Sequence, residues 1–158
     1  MDDIYTLTAT LTDKAGNVTT ESISFSVNRF GSTYALSEAT KKLNNTYVKT
    51  AEDVVLTEIN VNELKNIKVT LFKNNETIVL KEGTDYRLEV TGGDEEWYQY
   101  TYIILAKNFE DDGVYRLTIQ SDDKAGNTAK TDQDTKNTEI SFGVDSTLPV
   151  INVKNLES

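Results

Sequence analysis

The sequence predicts an all-β chain: a two-sheet sandwich with one short helix and a separate N-terminal hairpin. Three observations lead there. Short runs of alternating apolar and polar residues recur along the chain, separated by Gly, Asn and Asp. A 13-residue stretch occurs twice, as YTLTATLTDKAGN at 5–17 and YRLTIQSDDKAGN at 115–127, with 8 positions identical at an offset of 110. Each copy is followed by a second alternating run, ISFSV at 23–27 and ISFGV at 140–144, at an offset of 117, so the second connection is seven residues longer. A strand-built repeat of this length reads as an array of β domains.

In the first copy Tyr5, Leu7, Ala9 and Leu11 share one face and threonines the other, which describes a half-buried strand. Asp13, Gly16 and Asn17 supply turn chemistry, since Asp accepts backbone N–H groups and Gly tolerates positive φ. Ile23, Phe25 and Val27 return, so residues 1–28 form one hairpin. A lone hairpin is marginal in water and must pack on something. Residues 29–53 are the least regular stretch, with Ser37 positioned to cap a short helix over 37–43.

From Val54 the pattern is strands throughout. Runs at 54–59, 67–71, 78–80, 86–90 and 97–106 are divided by turns at 73–76, 82–85 and 92–94. That spacing is expected of a sandwich rather than of βαβ units. The second copy follows, with Asp123, Gly126 and Asn127 in the turn positions. After Val144 a Pro-bearing segment reads as a linker. The expected division is thus a hairpin of a preceding repeat at 1–28, a complete sandwich at 29–145, and a linker or next repeat at 146–158.

Composition bounds the chemistry. The chain has 158 residues, 37% of them hydrophobic, and a net charge of −10. Such a surface repels phosphate backbones and anionic lipid, so neither nucleic-acid binding nor membrane insertion is expected. Cysteine and histidine are both absent, which excludes thiol catalysis, disulfides, Ser–His–Asp chemistry and imidazole or thiolate metal sites. Paired carboxylates or lysine remain open to an enzyme, but no catalytic constellation is visible. Acidic groups at 94–96, 110–112, 122–123 and 132–134 lack EF-hand spacing and read as solvated turns. No cofactor and no metal are expected. Asn-x-Thr triplets begin at Asn17, Asn44 and Asn75. The basic start and apolar core of an export signal are not found at the N-terminus, so a signal or wall anchor is expected outside these residues.

Asp111, Gly113 and Tyr115 resemble the tyrosine corner of immunoglobulin-like sandwiches, in which a tyrosine hydroxyl returns to upstream backbone. The first copy has Asp2 and Asp3 before Tyr5 and no glycine, so the corner is expected to be missing there. Together with the DKAGN turn and the Phe-x-Val-Asp-x-x-x-Pro-x-Ile ending, these residues resemble the bacterial Ig-like repeats of large Gram-positive surface proteins, of the kind found in gut Firmicutes. The resemblance covers nearly the whole chain. It implies an immunoglobulin-like fold, an extracellular place on the cell wall, and neighbouring repeats as partners. Proteins of that kind include adhesins, stalk regions and superantigens that bind immunoglobulin variable domains.

The densest aromatic cluster is Trp97, Tyr98, Tyr100 and Tyr102. Both faces of its strand are partly apolar, so periodicity leaves open which one is buried. Core packing is the ordinary reading; an exposed tyrosine face would make a protein-binding patch. Two functions are carried forward. One is binding of a host protein, immunoglobulin being the sharpest candidate by resemblance. The other is a structural spacer that holds a distal domain away from the wall.

Overall fold

Residues 1–93, 95–133 and 136–147 are described by the computed structural model. Residues Asp94 and Asp134 of the acidic runs, and 148–158 of the expected linker, lie outside them. The described chain is an all-β sandwich with one α-helix and a single 3-10 turn, preceded by a two-stranded hairpin.

The hairpin pairs β1 (Asp3–Thr12) with β2 (Val18–Val27) in unbroken antiparallel register, Tyr5 opposite Phe25 and Leu7 opposite Ile23. Its threonine face is zipped by hydroxyl pairs, Thr6 with Ser24 at 3.2 Å and Thr8 with Ser22 at 3.0 Å.

One sheet of the sandwich orders β3 (Thr33–Leu36), β5 (Val54–Asn60), β9 (Glu96–Ile104) and β8 (Tyr86–Gly93). The other runs from β4 (Tyr47–Val48) through β12 (Ile140–Val144), β10 (Gly113–Asp123) and β6 (Leu64–Lys73) to β7 (Glu76–Val79), with β11 (Thr128–Lys130) also on β10. The short edge strands β3 and β4 carry too few residues for periodicity to reveal them; β4 joins β12 in parallel. Helix α1 (Glu38–Leu43) starts where Ser37 Oγ accepts from Thr40 N at 3.2 Å, and Lys41 and Lys42 close its last turn.

Side chains from both sheets meet in a shared core. Val54, Leu56, Tyr102 and Ile104 face Val69, Leu71, Leu117 and Ile119, all at most 2% exposed. Phe109, on the 3-10 turn Ala106–Phe109, packs edge-on against Tyr115 and Phe142 at centroid distances of 5.3 and 5.0 Å. The tyrosine corner is formed: Tyr115 Oη donates to the Asp111 carbonyl at 2.6 Å.

A carboxyl group is built into this core. Glu58 is fully buried, accepts from Tyr102 Oη at 2.7 Å and Ser121 Oγ at 2.5 Å, and so ties one sheet to the other. Tyr34 Oη is buried beside it without a hydrogen bond of good geometry. Burial, reinforced by the Glu58 charge, pushes the Tyr34 and Tyr102 hydroxyls far above the ordinary phenol range.

Removing one donor from a buried carboxyl leaves an unsatisfied acceptor, so Tyr102→Phe should destabilise the sandwich by about 1–3 kcal/mol in urea titration. The raised phenols also set an alkaline limit. Their folded pKa values exceed the unfolded value of about 10, so stability is complete below that pH and falls as pH rises above it. Tyrosinate absorbance of Tyr34 and Tyr102 should appear only together with loss of tertiary structure; ionisation in a folded chain would refute this placement.

Candidate functional site

The repeated turn is built the same way in both copies. Asp13 Oδ1 accepts from Ala15 N at 2.8 Å and Asn17 N at 2.9 Å, while Oδ2 accepts from Asn17 Nδ2 at 2.8 Å. Asp123 makes the corresponding bonds to Ala125 N, Asn127 N and Asn127 Nδ2 at 2.9, 3.0 and 3.0 Å. Gly16 and Gly126 take φ of +86° and +89°, closing each turn onto the Asp carbonyl. The hydrogen bonds hold Asp13 below its ordinary value, the Asn17 side chain contributing most.

Their surroundings differ completely. Asp13 is exposed, whereas Asp123 is 2% exposed and forms the floor of a joint between hairpin and sandwich. Its Oδ2 accepts two further bonds, from Asn28 Nδ2 at 2.9 Å and Asn60 Nδ2 at 3.2 Å. Asn28 is the residue that leaves β2. Its Nδ2 also lies 2.8 Å from Asn60 Oδ1 and 2.9 Å from Asn62 Oδ1, and its Oδ1 accepts from Gly31 N at 3.0 Å. Gly31 is required there: φ is +70°, and a Cβ would come within 3.1 Å of Asn127 Cβ.

Around this plug further hydrogen bonds hold the hairpin and the chain that leaves it. Asp2 accepts from the Arg29 and Phe30 N–H groups at 2.8 and 2.9 Å. Asn62 Nδ2 donates to Ser26 Oγ at 2.8 Å, and Trp97 Nε1 donates to Asp3 Oδ1 at 3.2 Å. Lys136 Nζ donates to the Phe30 and Ser32 carbonyls at 3.3 and 2.5 Å. A hollow of about 330 Å³ remains beside the joint, lined by Phe25, Ser26, Val61, Asn62, Glu95 and Lys124 among others.

Part of the joint recurs at the other end of the sandwich. Asp112, which aligns with Asp2, accepts from Ser146 N at 2.9 Å and Ser146 Oγ at 2.7 Å, and Ser146 aligns with Arg29. These bonds hold Asp112 below its ordinary value, the Ser146 hydroxyl first. Asp145 stands where Asn28 does, its Oδ1 accepting from Thr147 N at 3.1 Å.

Burial decides the tyrosine strand for core packing and against the binding patch. Tyr98, Tyr100 and Tyr102 point inward: Tyr100 is 4% exposed, Tyr102 fully buried, and Tyr98 packs against the core. Strand β9 lies between β5 and β8 with the second sheet over its tyrosine face, so these residues are not a surface patch. Trp97 is on the opposite face, 37% exposed, and serves the joint. A separate expectation is corrected. Tyr5 Oη donates to the Met1 carbonyl at 3.0 Å, four residues back like Tyr115 to Asp111, so the corner bond forms in the first copy without the glycine. Any residue supplies a backbone carbonyl.

Among the described residues no three acidic side chains converge as a metal site would require. Sequence reading missed Asn28, Asn60 and Asn62; the one available signal was that Asn28 falls where the repeat places Asp145. The chain matches no model of a known protein family and no characterised protein.

The same substitution should have unequal effects in the two turns. Asp123→Ala strips five donors of a buried acceptor and should cost about 3 kcal/mol or more. Asp13→Ala should shift the thermal midpoint of the sandwich negligibly. Equal effects would show that the joint is not buried in solution. Asp3 is held below its ordinary value of 3.8 by the Ile4 N–H and then by Trp97. Its contribution to docking is therefore complete above that pH and disappears as pH falls through the lower folded value. Trp97 fluorescence should report an acid transition that Asp3→Ala abolishes.

Proposed function

We propose that this chain is a structural spacer, a module of an end-to-end array that holds some other domain at a distance. The observation that carries the reading is the hydrogen-bonded joint centred on Asp123. It binds the end of one repeat to the beginning of the next through directional bonds, and such bonds fix orientation. A partner-binding module needs no such clamp on its own neighbour.

The arrangement of the two turns supports an array. Each DKAGN turn lies at the entry end of its repeat, and each Asp2- or Asp112-type clamp lies at the exit, so successive modules stack along their strands. With an 11-residue β10, each module adds roughly 35–40 Å to the length. By its resemblance to Gram-positive surface repeats, the array would extend outward from a cell wall. Binding of a host protein such as immunoglobulin has less support, because the tyrosine cluster offered for it lies inside the sandwich.

The native chain has no cysteine, so spin labels can be placed at Thr10→Cys in the hairpin and Glu89→Cys in the sandwich. A spacer predicts one narrow distance distribution, broadened several-fold by Asn28→Ala. A broad distribution in the parent chain would sink the reading.

A further inference from the structure

The hairpin presents an apolar face that nothing among the described residues covers. Leu7 is 63% exposed, Ile23 64% and Phe25 49%. Two-stranded sheets with such a face are marginal in water and need a covering layer. What covers it is legible from the second copy of the same hairpin.

The two hairpins agree position by position. Tyr5, Leu7, Ile23, Phe25 and Val27 align with Tyr115, Leu117, Ile140, Phe142 and Val144, and all five pairs are identical. The strand register is the same, Tyr5 opposite Phe25 and Tyr115 opposite Phe142. Both ring pairs stack at 5.7 Å, with interplanar angles of 22° and 29°. Both tyrosines make the same hydroxyl bond four residues back. Strand β2 also reproduces the β11 pairing, with Thr12 opposite Val18 as Asp122 is opposite Thr128. Yet the second set of five is at most 3% exposed, because the rest of the sandwich closes over it.

We infer that the face of the 1–28 hairpin is a docking surface for a sandwich body of the same type as residues 33–109 that lacks its own last hairpin. The differing positions specify that body further. Leu11 stands where Ser121 donates to Glu58, and Ala9 where Ile119 fills the core. A buried glutamate opposite Leu11 would lose a donor, so the docking body carries an apolar residue at the Glu58 position and a larger one opposite Ala9. This inference stands apart from the spacer reading. A flexible joint would sink the spacer and leave this untouched; an uncovered hairpin sinks this and leaves the joint.

The test places a second copy of residues 29–110 directly ahead of Met1 in the full chain. Backbone amides of β1 and β2 are then followed by hydrogen exchange. They should exchange at least ~100-fold more slowly than in the parent chain, as expected when frayed structure joins a cooperative unit. Leu7→Asp should abolish that protection and leave the 29–147 sandwich protected. Because Leu11 and Ala9 fit this particular body imperfectly, a second chimera carries Leu11→Ser and Ala9→Ile to restore the Ser121 and Ile119 contacts. Unchanged exchange in both chimeras overturns the inference, as does protection that survives Leu7→Asp. A dimer of the parent chain that Leu7→Asp dissociates also overturns it, in favour of a second copy as the occupant.

Discussion

The buried carboxyl of Asp123 is the constraint on which the arrangement of the two units depends. It accepts hydrogen bonds from two backbone amides and from the side chains of Asn127, Asn28 and Asn60. An acceptor taken out of water is costly unless its lone pairs are filled. Here they are filled by donors from three separate segments: the turn itself, the last residue of β5, and the residue that leaves the hairpin. The groups must stay together or leave the acid unsatisfied. This couples local turn geometry to the placement of a hairpin almost a hundred residues away in sequence.

Hydrogen bonds suit that task better than apolar burial would. Among the described residues the hairpin brings its exposed apolar face to no partner, so hydrophobic contact between them supplies little of the docking. Each net hydrogen bond contributes only about 1 kcal/mol. The set around Asn28, Asp2, Ser26 and Trp97 nevertheless surrounds the connection, and each bond is angle-dependent. Modest energy spread over several directions restricts rotation more than one large contact would. The Gly31 backbone at positive φ completes the restriction, since other residues there meet both strain and the Asn127 side chain.

How far the sequence was legible follows from the range of each interaction. Strands such as β5 and β10 were visible because alternation is local, and the Ser37 cap because its bond spans three residues. The internal repeat marked the two hairpins correctly. The inward face of β9 could not be read, because Trp97 and Ile103 on one side and three tyrosines on the other leave both faces partly apolar. Only the sheet laid over one side decides, and that is a long-range fact. The corner bond of Tyr5 was missed for the opposite reason, as its acceptor is a backbone atom that no residue type advertises. Nothing in the residue types of Asn28, Asn60 and Asn62 announced the network, because a buried amide network differs from a solvated loop only in what surrounds it.

The seven-residue difference between the two connections shows that the joint draws on more than the turn. In the hairpin, β2 runs continuously from Val18 to Val27. In the sandwich the same path is broken into β11 and β12, and the described residues between them, 131–133 and 136–139, belong to neither strand. Thr131 remains on the ladder, its Oγ1 accepting from Ile119 N at 3.0 Å and its own N–H donating to the Ile119 carbonyl. Lys136 reaches back to the Phe30 and Ser32 carbonyls just beyond the Asn28 plug. The longer connection thus sets a cation on the carbonyls of the entering chain, whose N–H groups at Arg29 and Phe30 are held by Asp2. The first copy lacks the insertion, so its exposed DKAGN turn has the floor of a joint without this cover. Identical turns can therefore support joints of different strength, because the segment that follows the turn adds to what the Asp of the turn provides.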